Sequence, residues 1–339
     1  MRFCILGAGG LGSLVGGMLA ESGQRVTLVG RPDHVEAIRA RGLAISGSSG
    51  ERSISRGLEA VVSPADARGA FDALILCVKA RDTQAALHAA EGLSERIGVA
   101  LSLQNTVVKD VELADWLGPG RGATDVLGAS TTEAATLDGP GRVRHVATAP
   151  TAFYFGSLTA GAADPRVAAL VDVFGKAGLA AKATDSIRHV EWEKLLQAAV
   201  LAAWSVSTLG MLPGRSVAEG LLVREAAEHY VALAKELIGV YRGLGYAPQD
   251  FFHPYSRFRE LADLGFEEAV AGMQAQGQRM LDLGAVGRPS LHVDVMRGRP
   301  TEVDWVVAPF LAEADRLRLE VPTTRAAYRI IRTLEQLNA

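Results

Sequence analysis

Apolar positions follow two different patterns along the chain. In the first half, continuous apolar runs of about five or six residues alternate with helical patterns: RFCIL then SLVGGMLAES, RVTLVG then HVEAIRARG, ALILCV then TQAALHAAEGL, VALSL then VVKDVELADWL. Unbroken short runs suit buried strands, and helices of about ten residues between them predict βαβ units with right-handed crossovers around a parallel sheet. From about residue 122 to 156 the pattern changes to β-type segments with turn signals such as DGPGRV, which predicts antiparallel strands added to that sheet. From about residue 185 onward strand signals almost vanish. RHVEWEKLLQAAVLAAWSV, LLVREAAEHYVALAKELIGVYRGLG, EEAVAGMQAQGQRMLDLG, WVVAPFLAEADRLRL and TTRAAYRIIRTLEQL are long and largely 3.6-periodic, with Gly or Pro between them. The chain therefore reads as an α/β domain over 1–185 followed by an all-helical domain over 186–339.

Composition narrows the partner. A length of 339 residues suits two domains, and a net charge of −3 with 22% charged residues lacks the sign asymmetry that nucleic acid or an anionic membrane would select. A small molecule is the expected partner. Cys4 and Cys77 each sit inside an apolar run, so they read as small hydrophobes in a reducing cytoplasm and not as a disulfide or metal framework. The start of the chain has a leader-like outline, with Arg2 before an apolar stretch. Seven glycines in its first 23 residues, and a second strand following directly, favour a strand, turn and helix instead. No segment reaches the roughly 18 apolar residues of a membrane span.

Directly after the first strand comes Gly7-Ala8-Gly9-Gly10-Leu11-Gly12, a G-x-G-x-x-G opening a helix. Gly7 permits the tight turn, Gly9 lets the backbone approach a pyrophosphate, and Gly12 allows close packing of helix on strand. In this context the motif predicts a Rossmann-type dinucleotide-binding domain. At the end of the second strand, where an acidic residue would hold ribose hydroxyls, the chain has Gly30-Arg31-Pro32. Arg31 suits a 2′-phosphate and favours NADP over NAD, the competing reading being a solvated Arg31 with Asp33 on the ribose. Lys79 and Gln104-Asn105-Thr106 follow later strands at the carboxyl edge of the sheet, where ligands bind.

Taken together, GAGGLG, LVGRPDHVEAIRARGLAI, CVKA, LQNT, EWEKLL and PSLHVDVMRGRPTEVDW resemble the ketopantoate reductases (2-dehydropantoate 2-reductases) across nearly the whole chain. These have a Rossmann domain and a helical domain, an architecture like that of 6-phosphogluconate dehydrogenase. The resemblance implies NADPH as cofactor and a 2-oxo acid as substrate. It maps the proton-donating lysine onto Lys194, the substrate serine onto Ser290, and the glutamate that helps hold substrate and lysine onto Glu302. It also places Asn105 near nicotinamide and substrate and makes Lys79 a cofactor lysine. The chemistry agrees, since carbonyl reduction builds negative charge on oxygen that a nearby ammonium stabilises and then protonates.

The sequence departs from that family where substrate binds. Asparagines usually follow the lysine by one and two helical turns; here those positions are Ala198 and Ala202, and Thr106 replaces a glycine. The loss of donors predicts a bulkier or more apolar 2-oxo acid, or a related ketone, in place of ketopantoate. A dehydrogenase of another carbonyl or of an opine-type substrate is an alternative. So is a non-catalytic NADP-binding sensor, against which the joint retention of Lys194, Ser290 and Glu302 speaks. On the helix alone, Lys194 could equally form a surface ion pair with Glu191. The seven histidines show no metal-ligand spacing. Phe251-Phe252-His253-Pro254-Tyr255 reads as packing core or loop anchor, and segment 264–287 as a lid or an oligomer contact. Amphipathic helices such as LLVREAAEHYVALAKELIGV leave a homodimer open.

Overall fold

The computed structural model describes residues 1–147, 149–210, 214–254, 256–284 and 287–338. It divides into two compact units, Met1–Glu191 and Trp192–Ala339.

The first unit is built on strands β1 (Arg2–Leu6), β2 (Arg25–Val29), β3 (Leu43–Gly47), β4 (Arg52–Ile54), β5 (Leu58–Val61), β6 (Phe71–Leu76), β7 (Ile97–Ser102), β8 (Leu127–Thr131), β9 (Ala134–Gly139), β10 (Arg142–Ala147), β11 (Phe153–Ser157) and β12 (Ala181–Ala183). Its helices are α1 (Gly10–Glu21), α2 (Pro32–Arg41), α3 (Thr83–Ala89), α4 (Lys109–Leu117), α5 (Gly122–Asp125) and α6 (Pro165–Lys176). The main sheet is parallel, in the order β5-β2-β1-β6-β7. Strand order reverses between β1 and β6, which opens a ligand crevice at their carboxyl ends.

The unbroken apolar runs have a direct cause. Phe3 and Ile5 of β1 join a cluster with Leu14, Leu28, Ile75 and Phe153, whereas Cys4 and Leu6 join a second one with Leu74, Leu76, Ile97 and Leu113. Alternate side chains point to opposite faces of a strand, so a sheet covered on both sides needs apolar residues at every position. Burial pushes the Cys4 and Cys77 thiols up to about 12, which leaves both inert.

The segments after residue 122 correct one expectation. They do not extend the parallel sheet but form two others, β4-β3-β10-β9 and β12-β11-β8, and among the described residues the bridge between Ala100 and Val126 joins β7 to this region. Pairing is antiparallel for β3–β4, β9–β10 and β8–β11, but parallel for β3–β10 and β11–β12. The strand LAISG supplies the edge that β10 uses. It alternates buried and exposed positions, which marks a sheet with one wet face and not a fully buried strand.

Helix α7 (Ile187–Leu209) starts in the first unit. The second unit holds the rest of it with α8 (Val217–Leu222), α9 (Arg224–Gly243), α10 (Phe258–Asp263), α11 (Phe266–Asp282), α12 (Ser290–Met296), α13 (Val303–Val306), α14 (Ala308–Leu317) and α15 (Pro322–Asn338). The segment LLVREAAEHY is not one helix, because Val223 is extended (φ −76°, ψ 122°) between α8 and α9. Trp204, Tyr241 and Phe310 are fully buried in the core of this unit. Two carboxylates brace it. Glu236 accepts from the Thr323 and Thr324 N–H groups at 2.8 Å and so caps α15, and Glu193 accepts from Gln249 N at 2.7 Å and Phe251 N at 2.8 Å. Phe252 is core, while Tyr255 lies outside the described residues. Segment 264–287 is mostly α11, packed so closely on α8 that a Cβ at Gly277 would lie 2.8 Å from the Ala218 oxygen; residues 285 and 286 lie outside the described residues.

Candidate active site

The glycine motif builds a cradle. Gly7 has φ +111°, and a Cβ there would lie 2.6 Å from Val78 N. A Cβ on Gly12 would sit 2.2 Å from the Gly7 oxygen and 3.1 Å from the Cys77 Cβ, and one on Gly10 would sit 2.3 Å from the Ala135 oxygen. These three positions admit only hydrogen. At Gly9 nothing lies within 4 Å, so this backbone faces open space. Leu11 packs against the core, fixing α1 over the sheet. No side chain caps the N-terminus of α1 and no acidic residue stands in its first turn. Its unsatisfied N–H groups and positive dipole end therefore suit a pyrophosphate, and the cradle fits a dinucleotide.

Arg31 is at the N-cap of α2 and exposed; its carbonyl accepts the Val35 N–H at 3.0 Å, while among the described residues its guanidinium forms no hydrogen bond or ion pair. Asp33, in the first turn of the same helix, is exposed too. Lys79 precedes a single 3₁₀ turn, Ala80–Asp82, beyond β6. The buried Gln104 ties the loops that carry Lys79 and Asn105 together. Its amide nitrogen donates to Val78 O at 3.0 Å and Thr83 Oγ1 at 2.8 Å, and its carbonyl accepts from Ser102 Oγ at 2.9 Å. Asn105 is half-buried beside it.

In the second unit, α7 puts Lys194, Ala198 and Ala202 in line at intervals of four residues, with Ala198 half-buried and Ala202 buried. Lys194 is half-buried, its ammonium forms no hydrogen bond or ion pair among the described residues, and burial lowers it to about 8. The surface-pair reading is corrected: Glu191 is fully buried and bound elsewhere, its carboxylate 3.2 Å from Lys109 Nζ and 3.5 Å from Arg188. Burial, and then the Asp110 carboxylate beside it, raise the Glu191 carboxyl above the usual range.

Ser290 is exposed at the start of α12, and Glu302 stands half-buried before α13. The rest of this signature is scaffolding that sequence reading overlooked. Asp294 pairs with Arg299 at 2.6 Å, closing the turn that follows α12. Thr301 N donates to Glu335 on α15 at 2.6 Å, and Asp304 accepts from Tyr328 at 2.7 Å. His292 Nε2 donates to the Gly210 oxygen at 2.7 Å. These contacts hold the segment that presents Ser290 and Glu302.

A phosphate cradle on an α/β sheet and a helical unit whose Lys194 ammonium is unpartnered among the described residues suit a two-unit oxidoreductase. Residues 3–160 match the family model described as ketopantoate reductase PanE/ApbA, and residues 186–335 match ketopantoate reductase PanE/ApbA C terminal. The chain belongs to the ketopantoate reductase family. Among its relatives, the 2-dehydropantoate 2-reductase of Pyrococcus horikoshii is 28% identical over 99% of this chain and 98% of its own. That of Halobacterium salinarum is 33% identical over 67% of this chain and 76% of its own. A PanE/ApbA family ketopantoate reductase from Ralstonia eutropha JMP134 superposes with a TM-score of 0.76 at 26% identity, over 100% of this chain and 99% of its own. A D-mandelate dehydrogenase solved with NADH and anilino(oxo)acetate shares the fold, with a TM-score of 0.76 at 20% identity and coverage of 100% and 99%.

Proposed function

We propose that the protein is an NADPH-dependent reductase of a 2-oxo acid more apolar than ketopantoate. One observation carries this reading: among the described residues the Lys194 ammonium has no partner, it is lowered to about 8, and it stands in line with two alanines. NADPH, when bound, supplies the hydride. The Gly7–Gly12 cradle would hold its pyrophosphate, Arg31 its 2′-phosphate, and Lys79 and Asn105 its nicotinamide half. The remaining chemistry belongs to the protein. Lys194 stabilises the negative charge that grows on the substrate oxygen and delivers the proton, a task suited to an acid that titrates near neutral pH. Ser290 and Glu302 orient the substrate and the lysine.

Ala198 and Ala202 offer methyl groups where a hydroxylated substrate would need donors. A substrate hydroxyl left unpaired in a closed site costs about 1–3 kcal/mol. The test is a panel of 2-oxo acids, including ketopantoate and aliphatic and aromatic members, assayed with NADPH and with NADH. The reading expects the highest kcat/KM for an apolar 2-oxo acid with NADPH. A best rate with ketopantoate would refute the substrate assignment. Tight NADPH binding without turnover of any member would favour a sensor.

A further inference from the structure

At the first turn of α7, four charged side chains meet, all of them in the first unit. Lys109, Asp110 and Glu191 are at most 3% exposed. Lys109 Nζ donates to the Ala129 oxygen and lies 3.2 Å from Glu191 Oε1, which accepts the Ala129 N–H at 3.2 Å. Arg188 reaches Val107 O at 3.1 Å, Asp110 at 3.1 Å and Glu191 Oε2 at 3.5 Å. Two cationic and two acidic side chains meet, and apart from the Lys109–Ala129 bond every link joins α7 to β8 or to residues 107–110, which directly follow Gln104-Asn105-Thr106.

We infer that Glu191, with Lys109, Asp110 and Arg188, forms a positioning cluster that locks the first turn of the lysine-bearing helix to the loop that carries Asn105. The inference rests on the reading of Lys194 as the proton donor. Stability alone does not account for the cluster. Taking four charges out of water is costly, and apolar side chains of similar volume commonly do as well or better. What ion pairs and directional hydrogen bonds add is a fixed register, and Lys194 is one turn further along the same helix. A misplacement of about 1 Å at a reacting group costs on the order of 100-fold in rate. The Gln104 bonds to Val78 and Thr83 do not involve the cluster, so the cofactor loops keep their own brace.

The test compares Lys109→Leu, Glu191→Leu and the double variant. Each single variant leaves an unpaired buried charge and lowers Tm. The double variant leaves the Asp110–Arg188 pair neutral, so Tm and the Kd for NADPH return towards wild type, while kcat stays about 10-fold or more below it, as a loosened register requires. A second readout needs no turnover: amine labelling of Lys194 across pH, followed by mass spectrometry. The wild-type midpoint near 8 moves towards the ordinary lysine value in the double variant. Recovery of kcat along with Tm, or an unmoved midpoint in the folded double variant, overturns the proposal. Should the double variant not fold, Glu191→Gln carries the same two readouts and the same criteria. If the wild type reduces no 2-oxo acid, the proposed function fails, and the labelling still decides the positioning role.

Discussion

Glu191 and Lys194 are three residues apart on α7 and could hardly be placed more differently. Glu191 is buried with a cation on either side and a backbone N–H on one oxygen. Lys194 is half-buried with no polar partner among the described residues. A carboxyl clamped between two cationic side chains and a backbone N–H holds structure, even though burial and the Asp110 carboxylate raise its proton affinity. A charge withdrawn from water without a partner keeps a perturbed proton affinity and is free to act on a ligand. The contrast is the reason for proposing Glu191 as architecture and Lys194 as chemistry.

Removing Lys194 should break the comparison most visibly. Lys194→Ala is expected to lower kcat by about 100-fold or more, the usual cost of deleting a general acid, with a small change in Kd for NADPH. The pH dependence has a definite sign. The donor must carry its proton, so the wild-type rate should fall as pH rises through about 8, and Lys194→Ala should lose that limb. Stopped-flow rates from pH 6 to 10 check both. A basic limb that survives in the variant would move the acid elsewhere.

The two alanines come next. Ala198→Asn and Ala202→Asn restore donors in line with Lys194. Each should shift the ratio of kcat/KM for ketopantoate over an apolar 2-oxo acid upward by about 10-fold, the equivalent of one hydrogen bond gained in a closed site. Ratios from a two-substrate competition assay give the answer; no shift with both asparagines in place would show that these positions do not line the substrate. Arg31→Ala should have a comparable or smaller effect, raising KM for NADPH about 10-fold while leaving NADH nearly unchanged, because a charge-assisted bond to phosphate is lost. Equal losses with both cofactors would hand the ribose to Asp33.

How much of this could be read from sequence follows from the range of the interactions. The strands of the parallel sheet were legible because burial on both faces leaves an unbroken apolar run, and the glycine motif because its turn is local, Gly12 closing on the Gly7 oxygen. The separate sheets were not, because whether β10 pairs with LAISG or with the main sheet is decided about 100 residues away. Lys194, Ser290 and Glu302 stood out through resemblance. The partners of Glu191 did not, since Lys109 and Asp110 look like the solvated first turn of a helix until the fold buries them. Asp294 likewise gives no sign in the sequence that it serves Arg299.

The smallest expected effect sharpens the same distinction for a group that changes charge near neutral pH. His34 is buried with both ring nitrogens engaged: Nδ1 accepts the Gly141 N–H at 2.9 Å, which leaves Nε2 to donate to Ser13 Oγ at 3.0 Å. A proton on Nδ1 would break the first bond, and burial lowers the His34 pKa from its ordinary value. Burial lowers His229 and His292 in the same direction. A folded-state pKa below the unfolded one means stability is fully present above about 6.5 and is lost as pH falls through the folded values. The contribution of these histidines to Tm should therefore decline between pH 7 and 5, against the opposite contribution of the raised Glu191 carboxyl. His34→Gln should flatten that decline while costing about 1 kcal/mol at pH 7, one neutral hydrogen bond's worth. Thermal unfolding of both proteins across this range measures it, and an unchanged slope in His34→Gln would show that its imidazole is not held neutral by the fold.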